Sequence, residues 1–140
     1  MDNILSKALS SYLVKNCLSD HQFGFLPGRS ATHQLIYILD KWINASESGQ
    51  ASAAVFLDFQ KDFDKVWHKG LLFKLATCGV TAEALEWFQS CLSDRTIAVR
   101  IEGVLSSPHV TTAGVPQGLH LGPILCAVCI NDIFVQSNLE

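Results

Sequence analysis

The stretch Ala-Ala-Val-Phe-Leu-Asp-Phe at residues 53–59 constrains the fold more than any other part of the chain. Its apolar run, Ala53 to Leu57, is short and built from Ala, Val, Phe and Leu, and it predicts a buried strand over residues 52–59. The run ends on Asp58, and Lys61, Asp62 and Asp64 follow within six residues. A carboxylate beside a core has to be paired, hydrated or bound to a cation, because leaving it desolvated and alone is costly. A fold that buries this run must therefore end it where water or a ligand can reach Asp58.

The rest of the chain surrounds that strand with helices. Residues 3–17 carry Ile4, Leu5, Ala8, Leu9, Tyr12 and Leu13 at helical spacing. The Gly/Pro punctuation of "LSDHQFGFLPGRS" reads as a loop, after which Ser30 or Thr32 caps a helix with the stripe Leu35, Ile36, Leu39, Trp42 and Ile43. "LLFKLATC" predicts a helix stopped by Gly79, and Thr81 opens another through Leu85, Phe88 and Leu92. Alternation around a turn predicts a hairpin from residues 96–103 and 107–113, and "GPILCAVCINDI" a buried last helix on the sheet, spanning 119–133. The expected order is ααβααββα, a mixed helix and strand domain. With 49% hydrophobic and 16% charged residues over 140 positions, the chain is rich enough in core formers for one such domain or a piece of one. A net charge of −3 gives no global nucleic-acid signature, so any basic site is local. No run approaches the roughly 18 apolar residues of a membrane span, and the acidic Met1-Asp2 start is unlike a signal peptide. Five scattered cysteines in apolar contexts are read as reduced core residues of an intracellular protein.

Several stretches carry candidate chemistry. Asp58 reads either as a turn or cap residue or as a ligand of Mg²⁺, a hard cation that favours carboxylates and substrate phosphates, with the Phe59 carbonyl as a further hard oxygen. Arg29, at the end of "FGFLPGR", is either an ordinary loop arginine or a phosphate contact, for which its planar fork is suited. "GVPQGLHLGP" packs three glycines and two prolines into ten residues, which demands a particular backbone path, with Gln117 as the polar side chain that a ligand would meet. The Cys126-x-x-Cys129 pair has metal-like spacing but no second pair, and is read as core. The histidines do not cluster by spacing, and no Walker-type or Gly-x-Ser-x-Gly loop is present.

In this order, "DHQFGFLPGRSATHQL", "VFLDFQKDFDKVWHKGLLFKL", "WFQSCLSDRT" and "GVPQGLHLGPILCAVCINDI" resemble the reverse transcriptase of non-LTR retrotransposons, the jockey-like long interspersed elements. The resemblance implies an α+β fold, the fingers and partial palm of a right-hand polymerase. Residues 1–50 would be a fingers-like helical segment and 51–140 a partial palm, together one incomplete reverse transcriptase domain. It implies RNA-templated DNA synthesis with two Mg²⁺ ions clamping the attacking and leaving oxygens, and an RNA template, a DNA primer and a deoxynucleoside triphosphate as partners. Asp58 matches the catalytic aspartate that holds both metals, with Phe59 adding a carbonyl. Phe63 matches the aromatic that crowds the sugar 2′ position, Arg29 a triphosphate contact, and Gln117 and Gly118 the sugar and base pocket.

The sequence departs from the family pattern at Leu26, where a basic residue is usual, and at Asp62, where a small one is. It departs again at Leu119 and His120, which are bulkier than the usual pocket edge. No Asp-Asp pair occurs in the chain, so the Ala-Asp-Asp hairpin of the family is absent from these residues. The expectations are thus an enzyme fragment that is inactive alone, or a non-catalytic nucleic-acid-binding remnant, or a decayed open reading frame. An uncovered palm edge would favour self-association.

Overall fold

A computed structural model of the chain describes residues 2–116 and 121–133. Its helices are α1 (Asp2–Asn16), α2 (Ala31–Glu47), α3 (His68–Thr77), α4 (Ala82–Leu92) and α5 (Leu121–Ile130), the last followed by a 3₁₀ turn, Asn131–Ile133. Between α4 and α5 lie four short strands, β1 (Arg95–Ile97), β2 (Arg100–Ile101), β3 (Val104–Leu105) and β4 (His109–Thr111).

Local chemistry sets the helix ends. Ser30 is the N-cap of α2, its hydroxyl accepting the His33 N–H at 3.3 Å. Gly49 closes α2 and Gly79 closes α3, at φ +70° and +82°. At α3 the Gly79 N–H donates to Ala76 O and the Val80 N–H to Leu75 O, the paired bonds of a left-handed helix stop. A side chain at Gly79 would also meet the Tyr12 hydroxyl at 2.7 Å, because that hydroxyl donates to the Cys78 and Gly79 carbonyls. Thr81 starts α4, but its hydroxyl makes no backbone cap bond. Instead it reaches Glu83, whose carboxyl is held below its ordinary value by its own backbone N–H and then by Thr81.

The core lies where α1, α3, α4 and α5 meet. Leu13, Leu71, Leu75, Phe88, Leu92, Ile124, Leu125 and Val128 are all buried there. Helix α5 is apolar nearly all round and is buried from Ile124 to Val128, as a central helix must be. It packs on α3 and α1, which corrects the expectation of a helix laid on a sheet. Helix α2 is the opposite case, with no buried residue and its stripe of Leu35, Ile36, Leu39, Trp42 and Ile43 exposed.

The expected strand over residues 52–59 is not formed. The segment is irregular, with Val55 and Phe56 each 84% exposed. Apolar composition favours a strand only where a neighbouring backbone offers a ladder, and none of the described strands pairs with this segment. The hairpin is present with shifted strands. β1 pairs antiparallel with β4, Thr96 opposite Val110, and β2 with β3, Arg100 opposite Leu105. Glu102 and Gly103, at φ +49° and +86°, make the turn, the doubly left-handed geometry that matches strand twist.

Cys17 and Cys78 form a disulfide with Cα atoms 5.3 Å apart, and Cys91 is exposed. The reading of five reduced core cysteines is corrected on both counts. The 61-residue separation hides that the C-terminal ends of α1 and α3 meet.

Candidate functional site

Three of the singled-out stretches converge on Phe63. A tight turn carries the chain from Gln60 to Lys65, with the Asp64 and Lys65 N–H groups donating to Lys61 O and Lys61 itself at φ +56°. Beyond the turn, the Val115 N–H donates to Phe63 O at 2.8 Å and the Gly114 N–H to Val66 O at 2.9 Å. Gly114 is at φ +90°, and a Cβ there would sit 2.8 Å from Asp64 O, so the backbones touch at a spot that only glycine allows. His68 adds a third tie, its Nε2 lying 2.7 Å from Gly114 O. From the other side Phe25, also left-handed at φ +62°, stacks edge-on against the Phe63 ring at 5.6 Å. The loop before α2, the turn after Asp58 and the start of "GVPQG" are therefore one junction.

Asp58 lies beside that junction in a cleft of about 440 Å³. Phe59, Asp62, Lys65, Lys74, Cys126 and Cys129 line the same cleft. The Asp62 carboxylate accepts a weak bond from the Cys126 thiol, at 3.9 Å. Burial, followed by the Asp62 charge, pushes Cys126 up to about 11, and burial likewise raises Cys129 to about 11 against the opposing pull of Lys74. These are protonated thiols at neutral pH, consistent with their reading as core. Lys74 donates to the Cys129 carbonyl and to Asp132 at 2.7 Å, which closes the end of α5 and holds Asp132 below the ordinary carboxylate range, chiefly through that bond.

Hard oxygen donors are thus present at Asp58, Asp62 and the Phe59 carbonyl. Among the described residues, however, no group of three His, Cys, Asp or Glu side chains could hold a metal ion. The described residues therefore place two carboxylates at the cleft without enclosing a cation between them.

The other expected residues divide. Arg29 does not line the Asp58 cleft. Its Nη1 donates to the carbonyls of Ser19, Asp20 and Gln22, and its Nη2 to the Asp20 carboxylate at 3.1 Å. Leu26 is buried in the core, so its apolar character answers a packing need. Gln117, Gly118, Leu119 and His120 lie outside the described residues. His68 and Asn131 were missed from the sequence, His68 because a histidine search by spacing looks for metal clusters. Its only signal was a position shortly after the charged turn, in "VWHKG".

A family model of reverse transcriptases (RNA-dependent DNA polymerases) matches residues 1–139. The chain belongs to the reverse transcriptase family. A probable RNA-directed DNA polymerase from transposon BS of Drosophila melanogaster is 39% identical over 133 residues, which is 94% of this chain and 15% of that protein. The probable RNA-directed DNA polymerase from transposon X-element of the same fly is 36% identical over 114 residues, 81% of this chain and 12% of that protein. The RNA-directed DNA polymerase from its mobile element jockey is 35% identical over 130 residues, 93% of this chain and 14% of that protein. The chain therefore spans a small part of the length of the relatives it matches. As a reverse transcriptase segment it has mixed helix and strand content, compatible with the right-hand polymerase fold. The family generally uses divalent metal ions and acts on a nucleic-acid template. Among the described residues no helix is long and apolar enough to cross a membrane.

Proposed function

We propose that the chain forms the nucleotide-selecting front of a retrotransposon RNA-directed DNA polymerase, with fingers in residues 1–50 and part of the palm in 51–140. The observation that carries this is the junction at Phe63, where Val115 N–H meets Phe63 O and Phe25 meets the Phe63 ring. It gathers the motifs that in this family handle the incoming nucleotide.

In this reading Phe63 stands against the sugar and excludes a 2′ hydroxyl by overlap. Gln117 and Gly118 shape the pocket for sugar and base. Arg29 contacts the triphosphate through the guanidinium edge that its loop bonds leave unused. Asp58, with the Phe59 carbonyl, is this chain's share of the Mg²⁺ ligands. The metal, when bound, offsets the charge that develops on the phosphate oxygens. The partners are an RNA template, a DNA primer and a deoxynucleoside triphosphate.

The 140 residues do not catalyse addition by themselves in this reading, because Asp58 and a carbonyl leave a two-metal site short of carboxylates. Primer extension on an RNA template with Mg²⁺ or Mn²⁺ tests this, with Asp58→Ala as control. No product is expected from either protein. Product from the parent that vanishes in Asp58→Ala would show that another acidic group completes the site.

A second reading is a non-catalytic nucleic-acid-binding remnant. The Asp62 carboxylate favours it, since it shares the Asp58 cleft and opposes an incoming triphosphate. RNA binding that weakens steeply with salt, without any nucleotide binding, would select this reading.

A further inference from the structure

Helix α5 ends at Ile130, and the next side chain crosses to the far end of the chain. Asn131 Nδ2 donates to the Cys17 carbonyl at 3.1 Å, and Asn131 Oδ1 accepts the Ser19 N–H at 2.8 Å. The two backbone groups flank Leu18, which is buried, at the point where α1 has ended and its last polar groups need partners. A primary amide presents a donor and an acceptor side by side, and neither a carboxylate nor an apolar side chain can make both bonds.

Ser19 is shared between two clasps. Its N–H goes to Asn131, while its carbonyl accepts from Arg29 Nη1 at 3.1 Å. The same guanidinium gathers the Asp20 and Gln22 carbonyls and the Asp20 carboxylate. All four bonds use Nη1 and Nη2. A guanidinium carries five N–H donors, and the bonds to the described residues leave the edge containing Nε for another acceptor. With the loop pinned, that edge has a fixed direction. With the loop released, Arg29 would lose the frame that orients it.

We propose that Asn131 is a positioning residue, a clasp that fixes the Ser19–Gln22 loop and through it the guanidinium of Arg29 for a phosphate. The clasp stands on the hydrogen bonds alone. The phosphate rests on the reading of Arg29 given under Proposed function.

Amide hydrogen exchange on the 140-residue chain tests the clasp. In Asn131→Ala the Ser19, Gln22 and Arg29 amides should exchange about tenfold faster, the scale of one net hydrogen bond, while amides of α3 stay as protected as in the parent. Asn131→Asp keeps an acceptor for Ser19 and should fall between the two, which preserves the test if the alanine variant folds poorly. Unchanged exchange at residues 19–29, or an equal loss in α3, would overturn the clasp.

The dissociation constant of deoxyguanosine triphosphate with Mg²⁺ tests the positioning. Asn131→Ala should weaken binding several-fold in the parent and have no further effect in Arg29→Ala. Equal weakening in both backgrounds would show that Asn131 does not act through Arg29. A parent that binds no nucleotide, with the faster exchange still seen in Asn131→Ala, would sink the phosphate role and the proposed function while leaving the clasp in place.

Discussion

Gly114 is the residue where the proposed site is least forgiving. Its φ of +90° and the 2.8 Å approach to Asp64 O mean that Gly114→Ala must move either the 63–66 backbone or the start of "GVPQG". We expect a loss of more than about 1 kcal/mol, beyond the intrinsic cost of a side chain in that conformation, read as a lower denaturation midpoint. A midpoint equal to the parent's would contradict the junction. The two raised thiols give a pH prediction. The folded protein keeps the Cys126 and Cys129 protons up to about pH 11 against an ordinary 9.0. Their contribution is therefore complete below about pH 9 and declines as pH rises towards 11, because the unfolded chain ionises first. Unfolding measured from pH 8 to 11 should show that fall. At pH 8, alkylation should reach the exposed Cys91 well before either of them.

At the scale of elements, the helix ends were legible and the strand was not. Ser30, Gly79 and Thr81 act within a few residues of themselves, so their sequence context contains most of the physics. Even so, Thr81 spends its hydroxyl on Glu83 instead of the backbone, a choice between neighbours that composition does not decide. The 52–59 run failed because a strand is a relation between two backbones, and the sequence of one cannot state whether the other is beside it. The same holds for α5, whose apolar surface announced burial but not whether a sheet or helices would cover it. For Arg29 the motif was visible, while the loop carbonyls that hold its guanidinium come from a turn no pattern describes. Asp58 was expected at the end of a strand; it stands instead at the end of an irregular segment and lines a cleft. The hairpin is open to test: Gly103→Val, at φ +86°, should unpair β2 from β3 and lose the Ile101 to Val104 cross-strand contacts by nuclear magnetic resonance. Retained contacts would show that the turn does not direct the pairing.

At the scale of the molecule, the α2 stripe and the Val55, Phe56 and Leu57 run are both apolar surfaces exposed outside the core. They approach one another around a shared hollow that includes Tyr37, Trp42 and Phe56. An uncharged, unpaired segment of this kind is prone to associate. We expect the 140-residue chain to self-associate in light scattering, and Phe56→Lys to shift it towards monomer; a monomeric parent would contradict this. The central claim, that these residues select a deoxynucleotide, has a more direct test. With Mg²⁺ present, the affinities of the parent chain for deoxyguanosine and guanosine triphosphate should differ by about tenfold in favour of the deoxy form, roughly 1.4 kcal/mol of steric exclusion. Phe63→Ala should erase that difference by tightening guanosine triphosphate. Equal affinities in the parent, or a preference that survives in Phe63→Ala, would contradict the assignment of Phe63 and of the site built around it.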